Sequence, residues 1–466
     1  MSDANRNSET FGPQASLSWL LLQAGKRRRK AVPGPRPARL GTNLLGGVVG
    51  NALEWYDFAI VGFLAPQIGR NFFPSRDPLL SLLGAFGVFA AAFLARPAGG
   101  LLFGHIGDRL GRKRSLQLSV MLMAVPTFLV GLLPTYDQIG LAAPVLLVLL
   151  RLAQGLSVGG ELVGSMAFVA ENAPENRRGF FCSWTFASEY CGMMLGSLFA
   201  AGLAMGLGSR AMDAWGWRLP FLSGVVIALA ALWMRRELSE TPVFLEMEAR
   251  ERLGHNPVAE AFRLVPERIA HLFFLVILVG AGFYTLFIWW PTILGQYLLP
   301  DGAGSLGLTT VSLLLLMALI PLTGDLSDRL GRRRLLAASC AGLTVLTWPL
   351  FLLASRGGVP GAYAAQIGFT LLMALYLGPV PATLVELFPA KVRYSAMGIG
   401  YNLSLCVFGG LAPLAATWLF KRYDSVTAPA LLLVALSAVN LLAALSLPDQ
   451  RPAQARRIPR RDPDAL

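Results

Sequence analysis

The sequence predicts an all-α membrane protein of twelve transmembrane helices in two pseudo-symmetric six-helix bundles, and three observations carry that prediction. The first is composition: 55% hydrophobic and 14% charged residues with a mean hydropathy of +0.56 lie far outside soluble globular usage. The second is segment length, since apolar runs of about 20 residues, enough to cross a bilayer as helix, recur about twelve times between short polar breaks. The third is that the chain repeats itself. GHIGDRLGRKR at Gly104 to Arg114 returns as GDLSDRLGRRR at Gly324 to Arg334, with Asp108 and Asp328 220 residues apart. Glu171, Pro174 and Arg178 of ENAPENRR return as Glu386, Pro389 and Arg393 of ELFPAKVR, each displaced by 215. Two homologous halves follow from these offsets.

Residues 1–40 carry the basic run Lys26 to Lys30 and a Pro-rich stretch, and read as a disordered basic cytoplasmic tail. An N-terminal six-helix bundle is expected over 41–235, with spans starting near 44, 79, 115, 141, 180 and 217. A central cytoplasmic loop fills 236–267. A C-terminal six-helix bundle follows over 268–447, with spans starting near 268, 306, 335, 360, 394 and 427, and a cytoplasmic tail closes the chain over 448–466. Tails and alternate loops hold 31 of the forty Lys and Arg residues against 7 on the other side, which puts both termini inside the cell membrane. The remaining two, Arg96 and Arg151, fall within spans.

Other classes are disfavoured by placement. The +13 net charge is spread over loops and tails rather than along one face, which argues against nucleic acid. Cys182, Cys191, Cys340 and Cys406 sit in apolar runs, and His105, His255 and His271 are scattered without metal-ligand spacing, so neither a disulfide framework nor a metal site is expected. Leu17 to Leu22 is too short an apolar run for a cleaved signal. No nucleophile and base stand at usable spacing, no GxxxxGK[ST] loop is present, and no enzyme activity or cofactor is expected.

Three further stretches narrow the reading: GNALEWYDF (Gly50 to Phe58), ARPAGGLLFGHIGDRLGRK (Ala95 to Lys113) and RLAQGLSVGGELVG (Arg151 to Gly164). With the duplicated GxxxDRxGR loops they resemble the major facilitator superfamily, and within it the metabolite:proton symporter family, whose members carry proline and betaine, citrate, 2-oxoglutarate or shikimate. The resemblance covers roughly 42–447 and implies the major facilitator fold, a substrate site between the halves at mid-depth, and alternating access by rocking of one bundle on the other. It also implies proton coupling, because Tyr56-Asp57 in span 1 and Arg151 opening span 4 match the places of the coupling pair in related carriers. Two departures stand out: Glu189 in span 5 is outside the family pattern, and the tail is too short and Pro-rich for the coiled coil of some osmolyte carriers.

Charges inside a bilayer cost roughly 3 kcal/mol or more, so those that remain face cavities or pair. Glu54, Asp57, Arg96, Arg151, Glu161 and Glu189 are such residues. Asp57 and Arg151 should lie ~15 to 20 Å into their spans and can pair, either for proton coupling or as a structural salt bridge. In the coupling reading, a substrate carboxylate that recruits Arg151 leaves Asp57 alone in an apolar cleft, where it takes a proton. Glu54, one turn away, shares that proton; Glu161 is either a relay or a polar lock beside Gly159 and Gly160. Arg96 is a carboxylate fork or a snorkelling side chain. Arg96, Arg151, Tyr56, Glu189, Tyr284 and Asn402 make the expected substrate site; Tyr376, Trp289 and Trp290 are further candidates, the two Trp reading more simply as an interfacial aromatic belt.

The repeated loops read as a cytoplasmic gate of Gly104, Asp108, Arg109, Arg112, Glu171 and Arg178, mirrored by Gly324, Asp328, Arg329, Arg332, Glu386 and Arg393, with each Asp meeting a helix N-terminus of the other half. The alternative is that the basic residues only set topology. The expected function is proton-coupled uptake of a small polar metabolite. The expected substrate is an organic acid of citrate or dicarboxylate type, which Arg96 and Arg151 favour; the alternative is a zwitterionic osmolyte such as proline or betaine, whose cation Glu161 and Glu189 would equally serve. A non-transporting sensor on the same scaffold is the remote alternative. The expected partners are the substrate, protons and the lipid bilayer, with no nucleic acid and a monomeric carrier.

Overall fold

The computed structural model describes residues 64–76, 78–236, 239–250, 256–294 and 303–448 and, within 41–61, positions 41, 44–46, 48, 51, 52, 54–56, 60 and 61. Asp57 and the tails expected at 1–40 and beyond Pro448 lie outside the described residues.

In the first half, α1 (Ala65–Phe72) closes the partly described first span and is followed by α2 (Pro78–Arg109), α3 (Arg112–Leu132), α4 (Ala142–Asn172), α5 (Arg178–Ala211) and α6 (Arg218–Arg236). The central loop carries two short helices, α7 (Pro242–Ala249) and α8 (Pro257–Leu264). The second half opens with α9 (Pro266–Leu275), which continues through π-helical turns at Leu278–Gly282 and Tyr284–Trp289. Then come α10 (Ala303–Leu330), α11 (Arg332–Arg356), α12 (Gly358–Leu377), α13 (Val380–Glu386), α14 (Arg393–Ser404), α15 (Gly410–Tyr423) and α16 (Ala428–Leu445). Each of the expected starts from 79 on has a helix beginning within four residues of it, namely α2 to α6, α9 to α12, α14 and α16. Among the described residues nine helical segments are long and apolar enough to cross a membrane.

The helices show the inverted patterning of chains solvated by lipid. On α3, Leu118, Met121, Val125, Leu129 and Leu132 are exposed at helical spacing, while Ser115, Ser119 and Thr127 are buried. Lipid is as apolar as leucine, so outward apolar side chains cost nothing, whereas small polar residues draw helices together. Inside, α2 packs on α4 and α11 packs on α12 and α16; the halves meet where α2 lies against α14 and α5 against α10. One cluster of buried side chains runs across both halves, from Trp55, Phe93 and Val158 to Leu275, Phe369 and Tyr401.

Candidate functional site

At the basic end, each half seats an acid on the other half's helix N-terminus. Asp108, at the end of α2, accepts the main-chain N–H of Tyr394 at 3.3 Å and of Ser395 at 2.8 Å on the first turn of α14. Asp328, at the end of α10, accepts those of Gly179 at 2.8 Å and Phe180 at 2.9 Å on the first turn of α5. These N–H groups have no partner inside their own helix, and the helix dipole favours an anion there. Glycines make both contacts possible. A Cβ at Gly104 would stand 2.7 Å from Ser395 Cα, and one at Gly324 2.5 Å from Ser183 Oγ, while Gly111 and Gly331 turn the chain with φ of +108° and +95°.

Behind each Asp stands an Arg four residues on. Arg112 lies 3.2 Å from Asp108 and 3.3 Å from Glu171; Arg332 lies 2.9 Å from Asp328 and 3.0 Å from Glu386. The halves are then cross-linked, since Arg393 donates to Glu171 at 2.8 Å and Arg178 reaches Glu386 at 3.8 Å. Arg112 also donates to the Ala390 carbonyl at 2.8 Å. Arg109 and Arg329, expected in this network, are exposed and outside it; Arg329 pairs at 2.6 Å with Asp325 of its own helix.

The two networks differ in cover. Arg112, Asp108 and Glu171 are closed over by the central loop: Thr241 donates to Glu171 at 2.6 Å, the Phe244 ring lies 5.4 Å from the Arg112 guanidinium, and Glu240 accepts the N–H groups of Arg112 and Lys113, each at 3.1 Å. Burial pushes the Glu240 carboxyl up from its ordinary value despite those donors. Arg332 and Glu386 keep 9% and 15% of their side chains exposed. The Glu240 and Thr241 contacts escaped the sequence reading, although Thr followed by Pro is a helix start and Thr241 caps α7.

Tyr394 also escaped it. Its hydroxyl donates to the Gly160 carbonyl at 2.6 Å and receives Ser115 at 3.0 Å, and its ring fills the notch at Gly107. The matching position in the first half is Gly179, so comparing the repeats for identities hides it.

Away from the basic end, the seam between the halves holds further buried charges. Arg96 on α2 is 1% exposed; its Nε donates to Asn402 Oδ1 at 3.4 Å, its guanidinium lies 5.3 Å from the Phe93 ring, and its Nη2 has no hydrogen-bond partner among the described residues. Asn402 in turn donates to the carbonyls of Gly159 at 2.7 Å and Gly398 at 2.9 Å, so it ties α14 to α2 and α4. Glu189 on α5 is buried, and its Oε1 has no hydrogen-bond partner among the described residues. Glu54 and Arg96 are within its electrostatic reach, yet no ion pair joins Glu189 to Arg96. Aromatic rings from both halves wall this cluster: Phe93 against Tyr284 at 5.7 Å, Trp55 against Phe283 at 6.3 Å and Tyr190 against Phe283 at 5.4 Å.

Other expected site residues lie elsewhere. The Tyr56 hydroxyl is 2.8 Å from Ser223 Oγ on α6, in a separate apolar cluster of the first half. Arg151 donates to Gln154 at 2.8 Å, and Gln154 to Thr127 of α3 at 2.7 Å. Glu161 accepts the Ser119 hydroxyl, and Ser157 donates to the Ser119 carbonyl at 2.6 Å, which fastens α4 to α3. Trp289 and Trp290 do not form a surface belt: they are 5% and 0% exposed, with Trp289 donating to Thr417 at 3.0 Å and Trp290 packed on Phe351. The Tyr376 hydroxyl bonds the Leu275 carbonyl inside the second half.

Comparison with known proteins agrees with this architecture. Residues 47–413 match the family profile described as Major Facilitator Superfamily. The chain is similar to a glycine betaine/proline/ectoine/pipecolic acid transporter of Dickeya dadantii, with 34% identity over 87% of this chain and 83% of the relative. It is similar to a proline/betaine transporter of Escherichia coli K12 at 33% identity over 86% and 81%. Among solved structures, a proton:xylose symporter bound to 6-bromo-6-deoxy-D-glucose superposes with a TM-score of 0.75 at 17% identity, over 89% of this chain and 97% of that one. The human organic anion transporter MFSD10 superposes at 0.64 with 16% identity, over 88% and 100%. At these identities the solved structures speak for the fold alone.

Proposed function

Because the chain belongs to the Major Facilitator Superfamily, we propose that this multi-pass membrane protein takes up a zwitterionic osmolyte of the proline and betaine class together with protons. It is a transporter and not an enzyme. The observation that carries the substrate class is the pairing of Arg96 with Glu189: opposite charges, both buried at the seam, each with an atom lacking a hydrogen-bond partner among the described residues, and no ion pair between them. Unmet buried polar atoms cost about 1–3 kcal/mol each, so the arrangement favours a ligand that supplies both charges at once. A substrate carboxylate suits the Arg96 fork. A substrate ammonium suits Glu189, and the rings of Phe93, Tyr190, Phe283 and Tyr284 suit a methylated nitrogen through cation–π attraction.

The organic-acid reading is less well supported. A di- or tricarboxylate would bring anions against Glu189, and the relatives are named for proline and betaine. In this reading the basic end is cytoplasmic, one chain holds a complete site, and the structure is the state closed to the inside, the Asp108 and Asp328 contacts being the closed gate. The test is ligand-induced thermal stabilisation of the purified protein. Glycine betaine or proline should raise the unfolding temperature, and Arg96→Ala should abolish the rise; stabilisation by citrate and not by betaine would contradict the reading.

A further inference from the structure

We propose that Asn402 is a positioning residue, which holds the Arg96 guanidinium ready for a substrate carboxylate while the basic end is closed and lets it go when the halves part. This role rests on the zwitterion reading above and deepens it. Three bonds fix the Asn402 amide. Its Nδ2 donates to the carbonyls of Gly159 on α4 at 2.7 Å and Gly398 on α14 at 2.9 Å, and its Oδ1 accepts Arg96 Nε on α2 at 3.4 Å. A flipped amide would set its oxygen against two carbonyl oxygens and its hydrogens against a guanidinium, so only one orientation serves all three partners. Glycines let the side chain through. A Cβ at Gly100 would stand 2.7 Å from Asn402 Nδ2 and 2.4 Å from the Gly398 carbonyl oxygen, and one at Gly159 would stand 2.2 Å from the Arg96 carbonyl oxygen.

Arg96 is thus held at its Nε, whereas its Nη2, with no hydrogen-bond partner among the described residues, is left for a ligand. Because guanidinium is planar, a bond at Nε sets the direction in which the other N–H groups point. The acceptor is neutral, so it orients the cation without claiming the charge that a carboxylate needs. Gly398 belongs to the same half as Asn402, but Gly159 and Arg96 belong to the other. A contact is no longer a hydrogen bond at about 3.6 Å, so a shift of a few tenths of an ångström between the halves frees Arg96 and a shift of about 1 Å frees Gly159. The guanidinium then regains its rotamers, and a carboxylate loses a fork that was set in advance. A site that binds more tightly while the basic end is closed lets its substrate go when that end opens. By linkage, bound substrate strengthens the closed end by the same factor.

The experiment uses full-length protein in nanodiscs with glycine betaine as the probe. Spin labels go on Arg114→Cys and Arg334→Cys, repeat-related and exposed positions in the two halves, in a chain whose four native cysteines are changed to serine. Saturating betaine should move the closed-to-open ratio about tenfold toward closed, read from the distances between labels. Asn402→Ala should bind betaine about tenfold more weakly and show no such shift. A residue that only braced the fold would lower the unfolding temperature and leave the betaine-induced shift intact. Arg96→Lys reaches the same contact from α2, since it keeps the charge and lacks the Nε donor; it should also lose the shift, and adding Asn402→Ala to it should cost no further affinity. Wild-type affinity or a full shift in Asn402→Ala, a full shift in Arg96→Lys, or a further tenfold loss in the double variant would overturn the proposal. Betaine binding to the wild type without any shift would overturn it while leaving the substrate reading in place. Absence of betaine binding to the wild type would instead overturn the substrate reading, and this proposal with it.

Discussion

The Asp108 carboxylate accepts the main-chain N–H of Ser395 at 2.8 Å, joining the end of α2 to the first turn of α14 in the opposite half. Its repeat partner Asp328 does the same to Phe180 at 2.9 Å. Such bonds exist only while the two halves are together at this end, so they are lost as a set when the bundles rock apart. On the proposed function, the contacts bias one state of the carrier without touching the proposed substrate cluster around Arg96.

Asp108→Asn should therefore cut turnover and leave the Michaelis constant for substrate nearly unchanged. Arg112 keeps Glu171 but loses one of two buried acidic partners, at a cost of ~3 kcal/mol or roughly a hundredfold in the closed-to-open ratio. Asp328→Asn should cost less, because Arg332 and Glu386 keep contact with water. Uptake kinetics of the two variants check the order; a large loss of affinity with normal turnover in Asp108→Asn would contradict the placement.

Arg112→Ala and Arg109→Ala should part company, although the two residues stand three apart in the same motif. Arg112 is fully buried between Asp108 and Glu171, and its removal leaves Asp108 without its cationic partner and Glu171 with Arg393; Arg109 is exposed and lies outside the network. Transport should fall at least tenfold in the first and stay near wild type in the second, measured as initial uptake at equal membrane expression.

Tyr394→Phe keeps the ring in the Gly107 notch and deletes the hydroxyl that bonds Gly160 and Ser115. The closed basic end should weaken by about 1–2 kcal/mol, about a tenfold shift toward its opening. Distances between spin labels placed on either side of this end would report the shift as a larger long-distance population.

Helix packing in the first half makes a contrast between glycines. A Cβ at Gly155 would stand 2.2 Å from the Ala92 carbonyl, whereas one at Gly87 meets nothing within 4 Å. Gly155→Ala should lower thermal stability in detergent by on the order of 2 kcal/mol, and Gly87→Ala should leave it unchanged or slightly raised.

Much of this was legible in the chain because the signals are local. Apolar run length set the helices, and the repeat offsets located Asp108 with Asp328 and Glu171 with Glu386 before any geometry was known. Which Arg of each motif turns inward was not legible: Arg109 and Arg112 are both charged, and only the helical register after the positive-φ Gly111 buries one and exposes the other. Tyr394 was hidden because the repeat holds Gly179 in its place, so the asymmetry falls where the comparison sees only a mismatch. Trp289 and Trp290 looked interfacial from composition, yet the π-helical turn at Tyr284–Trp289 and the approach of Phe351 bury them. Charges alone favoured an organic acid, with a zwitterion as the alternative; the proposed preference for the zwitterion rests on relatives named for proline and betaine and on Glu189 standing with Arg96 at the seam, while Glu161 is tied to Ser119 within the first half.

The central claim, proton-driven uptake of a zwitterion, is tested most directly by following labelled glycine betaine into proteoliposomes under an outside-acid pH gradient in sodium-free buffer. The account predicts accumulation above equilibrium that a protonophore collapses and that added sodium does not increase. Accumulation untouched by the protonophore and abolished by removal of sodium would contradict it.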